Sequence, residues 1–247
     1  MQSEKIPYHL VDIVEAGYEY NVYEFQKDFI PVYNDIKSRG KVPVLCGGSG
    51  LYLDSVLRAY KLIRVPKNDE LRAELKDKDE EELIQILKSL KKLHNITDIV
   101  NRKRILRAIE IETYYKEHGD KLGDIPKYRN ILFGVKFDRG TIRSRITDRL
   151  KQRLDEGLVE EVETLLSKGL TEEKLKYYGL EYKFVTQYIN REINYNDMFQ
   201  RLNTAIHQFA KRQMTWFRKM EREGLKIHWI DGYKLMNEKL EFILDKI

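Results

Sequence analysis

The stretch VPVLCGGSGLYLDSVLRAY, residues 42–60, decides the expected fold. Residues 42–46 form a short apolar run, which is typical of a buried strand, and the residues after Gly50 have the apolar spacing of a helix. The four residues between them, GGSG, would form a tight strand-to-helix turn. The stretch therefore predicts a strand, a glycine-rich turn and a helix in succession.

The flanking segments extend this pattern into an α/β core. HLVDIV, residues 9–14, is a predicted strand, and residues 22–39 are a predicted amphipathic helix that ends at Gly40. Strands and helices that alternate in this way indicate a parallel sheet with right-handed crossovers. ILFGVKF and KIHWI are later predicted strands, at residues 131–137 and 226–230. Helices are predicted over residues 141–156, 158–168, 181–190 and 195–221, with a last one after the second of these strands.

Residues 64–128 interrupt the core. From Glu70 to about His118 the pattern is helical and highly charged, without a strand signal, and prolines stand near both ends. We therefore expect a helical insertion over 64–128 and a core formed by 1–63 and 129–247.

Composition narrows the class of protein. The chain has 247 residues, 42% of them hydrophobic and 34% charged, and no apolar run approaches membrane-spanning length. No signal region and a single cysteine, Cys46, favour a cytoplasmic protein with a buried structural thiol. The five histidines have no second ligand at metal-binding spacing, so no metal site is predicted.

Positive charge is unevenly distributed. The net charge is +5, yet residues 69–82 hold eight acidic side chains against three basic ones. The basic residues therefore concentrate elsewhere, chiefly in 101–107, 139–153 and 201–219. This distribution is weak evidence for a polyanionic partner.

Two stretches could bind phosphate. The backbone N–H groups of the GGSG turn, at the start of a helix, could cradle an anion, or the glycines could serve packing alone. Arg145, Arg149 and Arg153 follow one another at intervals of four residues and would form a ridge on a helix. Either the ridge is a solvated cationic face, or a diphosphate or nucleic-acid backbone neutralises it.

HQFAKRQMTWFR, residues 207–218, is an amphipathic helical pattern with one exception. Gln213 falls within the apolar stripe, where an unpaired amide would cost about 1–3 kcal/mol. It is either a core glutamine with satisfied hydrogen bonds or a residue that faces a polar channel.

Two further stretches could contact RNA. NRKRILRAIEI, residues 101–111, places Lys103, Arg104 and Arg107 away from its apolar face, which suits a phosphate backbone or simply solvent. KYYGLEYK, residues 176–183, has three tyrosines that could stack on unpaired bases or pack internally.

In order along the chain, these stretches resemble the bacterial tRNA dimethylallyltransferases, also called tRNA isopentenyltransferases. PVLCGGSGLYLDSVL is similar to the family's P-I-L-V-G-G-T-G-L-Y-x-x-A-L, with Ser49 in place of the usual Thr. NRKRILRAIEI resembles N-x-x-R-x-x-R-A-L-E, and AKRQMTWFR matches A-[KR]-R-Q-x-T-W-F/L-R at every residue. IPYHLVDI, IRSRITDRLKQRLDEGLVEEV and KYYGLEY resemble three more motifs of the family.

The resemblance implies a P-loop-NTPase-like parallel-sheet core with a helical insertion. The family's P-loop, G-x-T-x-x-G-K-T, and its D-S-x-Q-x-Y motif are not found in the printed sequence. On that ground the sequence predicts a core without its first strand and P-loop, able to bind tRNA and inactive alone.

The reaction implied is transfer of a dimethylallyl group from dimethylallyl diphosphate to N6 of the adenine 3′ to the tRNA anticodon. The resemblance implies Arg149 and Ser49 as catalytic residues, Gly47, Gly48, Gly50 and Gln213 as substrate-binding residues, and Mg²⁺ as a cofactor. The anticodon stem-loop would be the RNA partner of a monomer. Residues implied in tRNA binding are Lys103, Arg104, Arg107, Lys176, Tyr177, Tyr178, Gly179, Lys211, Arg212, Thr215, Trp216 and Arg218. Two alternatives stay open: a non-catalytic tRNA-binding fragment of that family, and a P-loop small-molecule kinase relative.

Overall fold

The computed structural model describes residues 6–93, 97–119 and 125–247. Its contacts divide the chain into two compact units. The larger unit is Met1–Arg58 with Lys127–Ile247, and the smaller is Ala59–Pro126. The sequence placed the ends of a helical insertion at residues 64 and 128.

The larger unit is mostly helical among its described residues. With elements numbered along the whole chain, it contains α1 Val22–Ser38, α2 Gly50–Leu57, β1 Leu132–Lys136, α6 Arg139–Asp155, α7 Leu158–Ser167, α8 Glu172–Tyr178, α9 Leu180–Ile189, α10 Tyr195–Arg222, β2 Ile227–Asp231 and α11 Met236–Leu244. The helices predicted over 22–39, 141–156, 158–168, 181–190 and 195–221 are confirmed to within two residues at each end. Local signals fix several starts: Asp138 caps α6 and Asn194 caps α10, each through its side-chain oxygen.

The sheet is small and parallel. β1 pairs with β2 from Leu132 opposite Ile227 to Lys136 opposite Asp231. The chain is therefore a helix-rich α/β protein, as expected. A larger P-loop-like sheet stays a prediction.

Two predicted strands are wrong. Leu10 and Asp12 have φ values of 59° and 52°, in the left-handed region that an extended strand does not enter. Residues 42–46 have no strand partner among the described residues, and Val44 is 83% exposed. Because a strand is defined by hydrogen bonds to a neighbour, an apolar run alone does not form one. Cys46, at its end, is exposed, which corrects the expectation of a buried thiol.

One ion-pair network attaches α2 to the end of α10. Nε of Arg58 lies 2.7 Å from Oδ1 of the fully buried Asp54, and Nη2 lies 3.1 Å from Oε2 of Glu223. The Arg58 guanidinium also donates to the carbonyls of Met220 and Glu223 at 3.4 Å. The two helices are thus joined beyond the GGSG turn.

The smaller unit has only helical elements in its described residues: α3 Asp69–Glu74, α4 Glu80–Leu90, a 3-10 turn Thr97–Ile99 and α5 Arg102–His118. Its core consists of leucines and isoleucines of α4 and α5, among them Leu83, Leu87, Ile105 and Ile109. No helix in the described parts of the chain has the length and apolar character that crossing a membrane requires.

A buried carboxylate organises the smaller unit. Glu110 on α5 accepts hydrogen bonds from Arg72, Arg107 and the backbone N–H of Asn68. Burial by itself would raise the pKa of Glu110, but these hydrogen bonds outweigh it and lower the pKa to about 2. The carboxylate therefore stays charged and connects α5 to α3.

Candidate functional site

The GGSG turn borders a small open hollow of ≈ 180 Å³ in the larger unit. Its walls are residues 45–49, Phe25 of α1, and Tyr52 and Leu53 of α2. Ser49 is the N-cap residue of α2, but its side chain makes no capping hydrogen bond. Its hydroxyl is exposed, so it could contact a ligand in the hollow.

Helix α10 holds the turn from the other side. Nε2 of Gln213 donates to the carbonyl oxygen of Gly48 at 3.0 Å. A Cβ on Gly48 would lie 2.5 Å from that nitrogen, and a Cβ on Gly50 would overlap the ring of Trp216. Close packing on the Trp216 ring therefore requires glycine at position 50, whereas a side chain at position 48 would displace the Gln213 amide. The glutamine within the apolar stripe is half-buried, and its partner is the turn.

Replacing Gly50 with Ala should destabilise the larger unit by about 1–3 kcal/mol, because the new methyl group needs the space of the Trp216 ring. Gly47→Ala is the matched control, since a Cβ there meets no atom within 4 Å. Urea unfolding of both variants measures the difference. Equal unfolding free energies for the two would show that Trp216 does not press on the turn.

Trp216 is placed differently from the expectation that it binds tRNA. Its ring is half-buried beneath Gly50, with Nζ of Lys219 5.0 Å from the ring centroid. Nε1 is buried without a hydrogen-bond partner among the described residues. The side chain therefore supports the turn, because a stripe residue at this position faces the protein.

The outer face of the same helix turns is cationic. Lys211, Arg212, Thr215 and Arg218 are all exposed. The guanidinium of Arg212 lies 5.8 Å from the centroid of the Phe209 ring, which is also exposed. Lys211 and Arg218 have no ion-pair partner in the described residues. The three cations suit a phosphate backbone, whereas Phe209 lies about 160–180° from Lys211 and Arg218 around the helix.

The three arginines of the α6 ridge make different contacts. Arg145 stacks on the ring of Phe137 at 4.5 Å, and Arg153 pairs with Glu161 at 3.0 Å. Arg149, between them, is exposed and makes no hydrogen bond or ion pair with any described residue. Of the three guanidiniums, that of Arg149 has neither an ion pair nor a ring contact with the described residues.

Arg149 and Ser49 are not brought together. The Arg143 carbonyl lies 3.3 Å from Nε2 of His207, and Oγ1 of Thr147 donates to Asn203 at 3.0 Å. Helix α6 therefore runs antiparallel to α10, and Arg149 lies further from the turn at Gln213 than Thr147 does. A diphosphate that contacts both Arg149 and the turn would have to bridge the gap between them, or its binding would have to move α6 and the turn closer together.

The tyrosine segment before α9 is used for packing. Tyr177 donates to the Tyr20 carbonyl at 3.3 Å, the hydroxyl of Tyr178 accepts from the N–H of Gly17, and Lys176 pairs with Glu172 at 2.9 Å. Gly179 has φ 153° and ψ −174°, a conformation open essentially to glycine alone, and it separates α8 from α9. Of this segment, the ring of Tyr177 keeps half its surface exposed for an RNA base.

The basic residues of α5 differ in their exposure and in their contacts within the smaller unit. Arg107 donates to Glu110 and to the carbonyls of Val65 and Pro66, so its guanidinium is engaged within the smaller unit. The sequence does not show the buried acid beside it, but the side chain is 40% exposed and its role as a phosphate ligand stays a prediction. Lys103 and Arg104 are exposed.

Tyr52 and Phe25 were not predicted to line the hollow, although Tyr52 belongs to the G-L-Y of the motif. Tyr52 and Phe25 lie beside the hollow with their ring centroids 5.0 Å apart. Burial raises the pKa of Tyr52, whose hydroxyl donates to the Tyr20 carbonyl at 3.5 Å. The aromatic wall suits an apolar group next to the polar turn.

Comparisons with known proteins agree with one another. The IPP transferase family profile matches residues 1–220. The chain is 53% identical over 247 residues to tRNA dimethylallyltransferase 2 of Bacteroides fragilis, which covers all of this chain and 81% of the relative. This identity does not favour the kinase or the non-catalytic alternative.

Solved structures give the same result. The tRNA isopentenylpyrophosphate transferase of Bacillus halodurans is 26% identical, with a TM-score of 0.67 over 98% of this chain and 77% of that one. A eukaryotic dimethylallyltransferase acting on tRNA, at 19% identity, shares the fold with a TM-score of 0.73, over 98% of this chain and 67% of that one.

Proposed function

Since this chain belongs to the IPP transferase family, we propose that it transfers a dimethylallyl group from dimethylallyl diphosphate to N6 of the adenine 3′ to a tRNA anticodon. The bond between the allylic carbon and the diphosphate oxygen breaks, a carbon–nitrogen bond to N6 forms, and N6 loses one proton. The observation that carries the proposal is the full-length similarity to named transferases. The contact between the GGSG turn and the RQMTW helix supports it, because the two matching motifs meet at one site.

The donor would be bound by the hollow, and Arg149 would contact its diphosphate only after α6 and the turn move closer together than they are here. Phe25 and Tyr52 offer an apolar wall for the allyl group, and the turn offers the hydroxyl of Ser49 and the backbone of Gly47 and Gly48. Charge grows on the diphosphate as it leaves, so a positioned guanidinium stabilises the transition state more than the ground state. Arg149 is suited to this because nothing in the described protein neutralises it.

The tRNA would lie on the cationic face of α10. The adenine has to leave its stack to reach the donor, which costs a few kcal/mol that backbone contacts must offset. Lys211, Arg212, Thr215 and Arg218 are exposed for such contacts. In the smaller unit, Lys103 and Arg104 would contact the anticodon stem-loop, while Tyr177 could stack on an unpaired base in the larger one.

A Mg²⁺ ion that accompanies the diphosphate remains an expectation of the family. Among the described residues there is no group of three or more His, Cys, Asp or Glu side chains that could hold a metal ion.

A transfer assay tests the proposed function. Labelled dimethylallyl diphosphate and unmodified tRNA are incubated with the chain, and the tRNA is digested to nucleosides. We expect label in N6-dimethylallyladenosine from the position 3′ to the anticodon. Label in another nucleoside, or none in RNA although the chain is folded, would contradict the proposal.

Lys211→Ala with Arg218→Ala should weaken tRNA binding and flatten its salt dependence. Each lost phosphate contact lowers the slope of log affinity against log salt by about 0.7–0.9, so the double variant should lose about 1.5. Lys151→Ala with Lys168→Ala removes the same charge from exposed positions elsewhere. Binding titrations at several salt concentrations measure this slope. If both double variants keep the slope of the unmodified chain, α10 is not part of the tRNA interface.

A further inference from the structure

Helix α10 presents Gln213 to the GGSG turn on one side and cationic side chains to solvent on the other. On one side Nε2 of Gln213 holds the Gly48 carbonyl at 3.0 Å. At 100° per residue, Lys211, Thr215 and Arg218 point about 140–160° away from Gln213 around the helix. Lys211, Thr215 and Arg218 therefore point away from the turn, and Gln213 points towards it.

We propose that Gln213 is a positioning residue for prenyl transfer: it holds residues 46–49 in the conformation that receives the donor diphosphate. This inference rests on the proposed function. Gln213 touches neither substrate, and it acts through the backbone of Gly48. The hydrogen bond fixes the direction of the Gly48 peptide, and hence of the N–H groups and the Ser49 hydroxyl that border the hollow.

Trp216 packs against Gly50 at the end of the turn, but residues 46–49 have few other contacts that fix their backbone. Ser49 makes no capping hydrogen bond, and residues 42–46 before the turn pair with no strand in the described chain. Helix α2, in contrast, is attached independently through Asp54, Arg58 and Glu223. Loss of the Gln213 amide should therefore free the turn while α2 stays on α10.

Gln213→Met tests the role, because methionine keeps the length of the side chain and removes the donor. The matched control is Gln208→Met, the same change at an exposed position of α10 that makes no contact with the turn. We expect the KM for dimethylallyl diphosphate to rise about 3- to 10-fold in Gln213→Met, as the loss of one hydrogen bond implies, with tRNA affinity unchanged. Gln208→Met should behave as the unmodified chain.

The single cysteine gives a second readout that does not need activity. Cys46 is exposed and lies two residues before Gly48, so its reaction with a thiol reagent reports on the turn alone. We expect several-fold faster labelling of the free chain in Gln213→Met than in Gln208→Met, because the turn then samples more conformations.

Each combination of results decides the matter. Faster labelling together with a raised KM for the diphosphate supports the positioning role. Equal labelling rates, a change in tRNA affinity, or a lower kcat with both KM values unchanged would overturn it, the last because a loss of folded protein gives that pattern. If the unmodified chain transfers no prenyl group, the proposed function fails, and the labelling rates alone decide whether Gln213 restrains the turn.

Discussion

Replacing Arg149 with Ala should lower the rate of prenyl transfer by about 10²–10³-fold, which corresponds to about 2.7–4 kcal/mol of transition-state stabilisation. The departing diphosphate carries its charge on oxygen, and the Arg149 guanidinium is the member of the α6 ridge without a partner in the described protein. Because the effect arises as charge develops, kcat should fall more than the affinity for tRNA.

Lys151→Ala is the matched control for this variant. Lys151 is exposed on the same helix and points about 160° away from Arg149, so Lys151→Ala removes one positive charge from a different face of that helix. Its rate should stay close to that of the unmodified chain, whereas Arg149→Lys should recover only part, since an ammonium cannot donate two parallel hydrogen bonds. Single-turnover assays with saturating tRNA measure the step directly. Equal rates for the two alanine variants would remove Arg149 from the site.

Glu110→Ala should destabilise the smaller unit by about 1–3 kcal/mol, because the N–H groups of Arg72, Arg107 and Asn68 lose their common acceptor. The side chain of Glu110 is 1% exposed, and its removal takes the ion-pair partner away from both Arg72 and Arg107. Glu117→Ala is the control, because that carboxylate is on the same helix and 63% exposed. Hydrogen exchange of the α5 amides, which follows opening of this unit, provides the measurement.

The pH dependence of the stability of the smaller unit tests the role of Glu110 independently. Glu110 has a pKa of about 2 in the folded chain, against an ordinary value of 4.5. Its contribution is therefore complete above pH 4.5 and is lost as the pH falls towards 2. The difference between Glu110→Ala and the unmodified chain should shrink across that window. A difference that is constant from pH 6 to pH 2.5 would mean that the charge of Glu110 is not what stabilises the unit.

Most of the helices could be predicted from the sequence to within a few residues, but α8 was not predicted. Helix α10 is an example: its apolar residues recur at helical spacing, and Asn194 lies where a capping residue is expected. Helix hydrogen bonds join residues four apart, so a local pattern contains almost all the information that the element needs. The arginine ridge and the cationic face of α10 could be predicted for the same reason.

The strands and the uses of individual side chains could not. Residues 42–46 have the composition of a strand, but a strand needs hydrogen-bonding neighbours from elsewhere in the chain. The ion pair between Arg107 and Glu110 could not be predicted, because the fold that buries Glu110 beside Arg72 is not visible in the sequence. In the larger unit, only the folded chain shows that Arg145 and Arg153 are engaged and Arg149 is not.

The sequence by itself determined the family, the helix positions and the residue types of the candidate site. Tertiary structure decided which of those residues meet. Gln213 and Gly48 are 165 residues apart in the chain and are joined by one hydrogen bond. The physical reason is that periodicity and capping act between near neighbours, whereas burial, ion pairing and ligand access depend on which distant segments pack together.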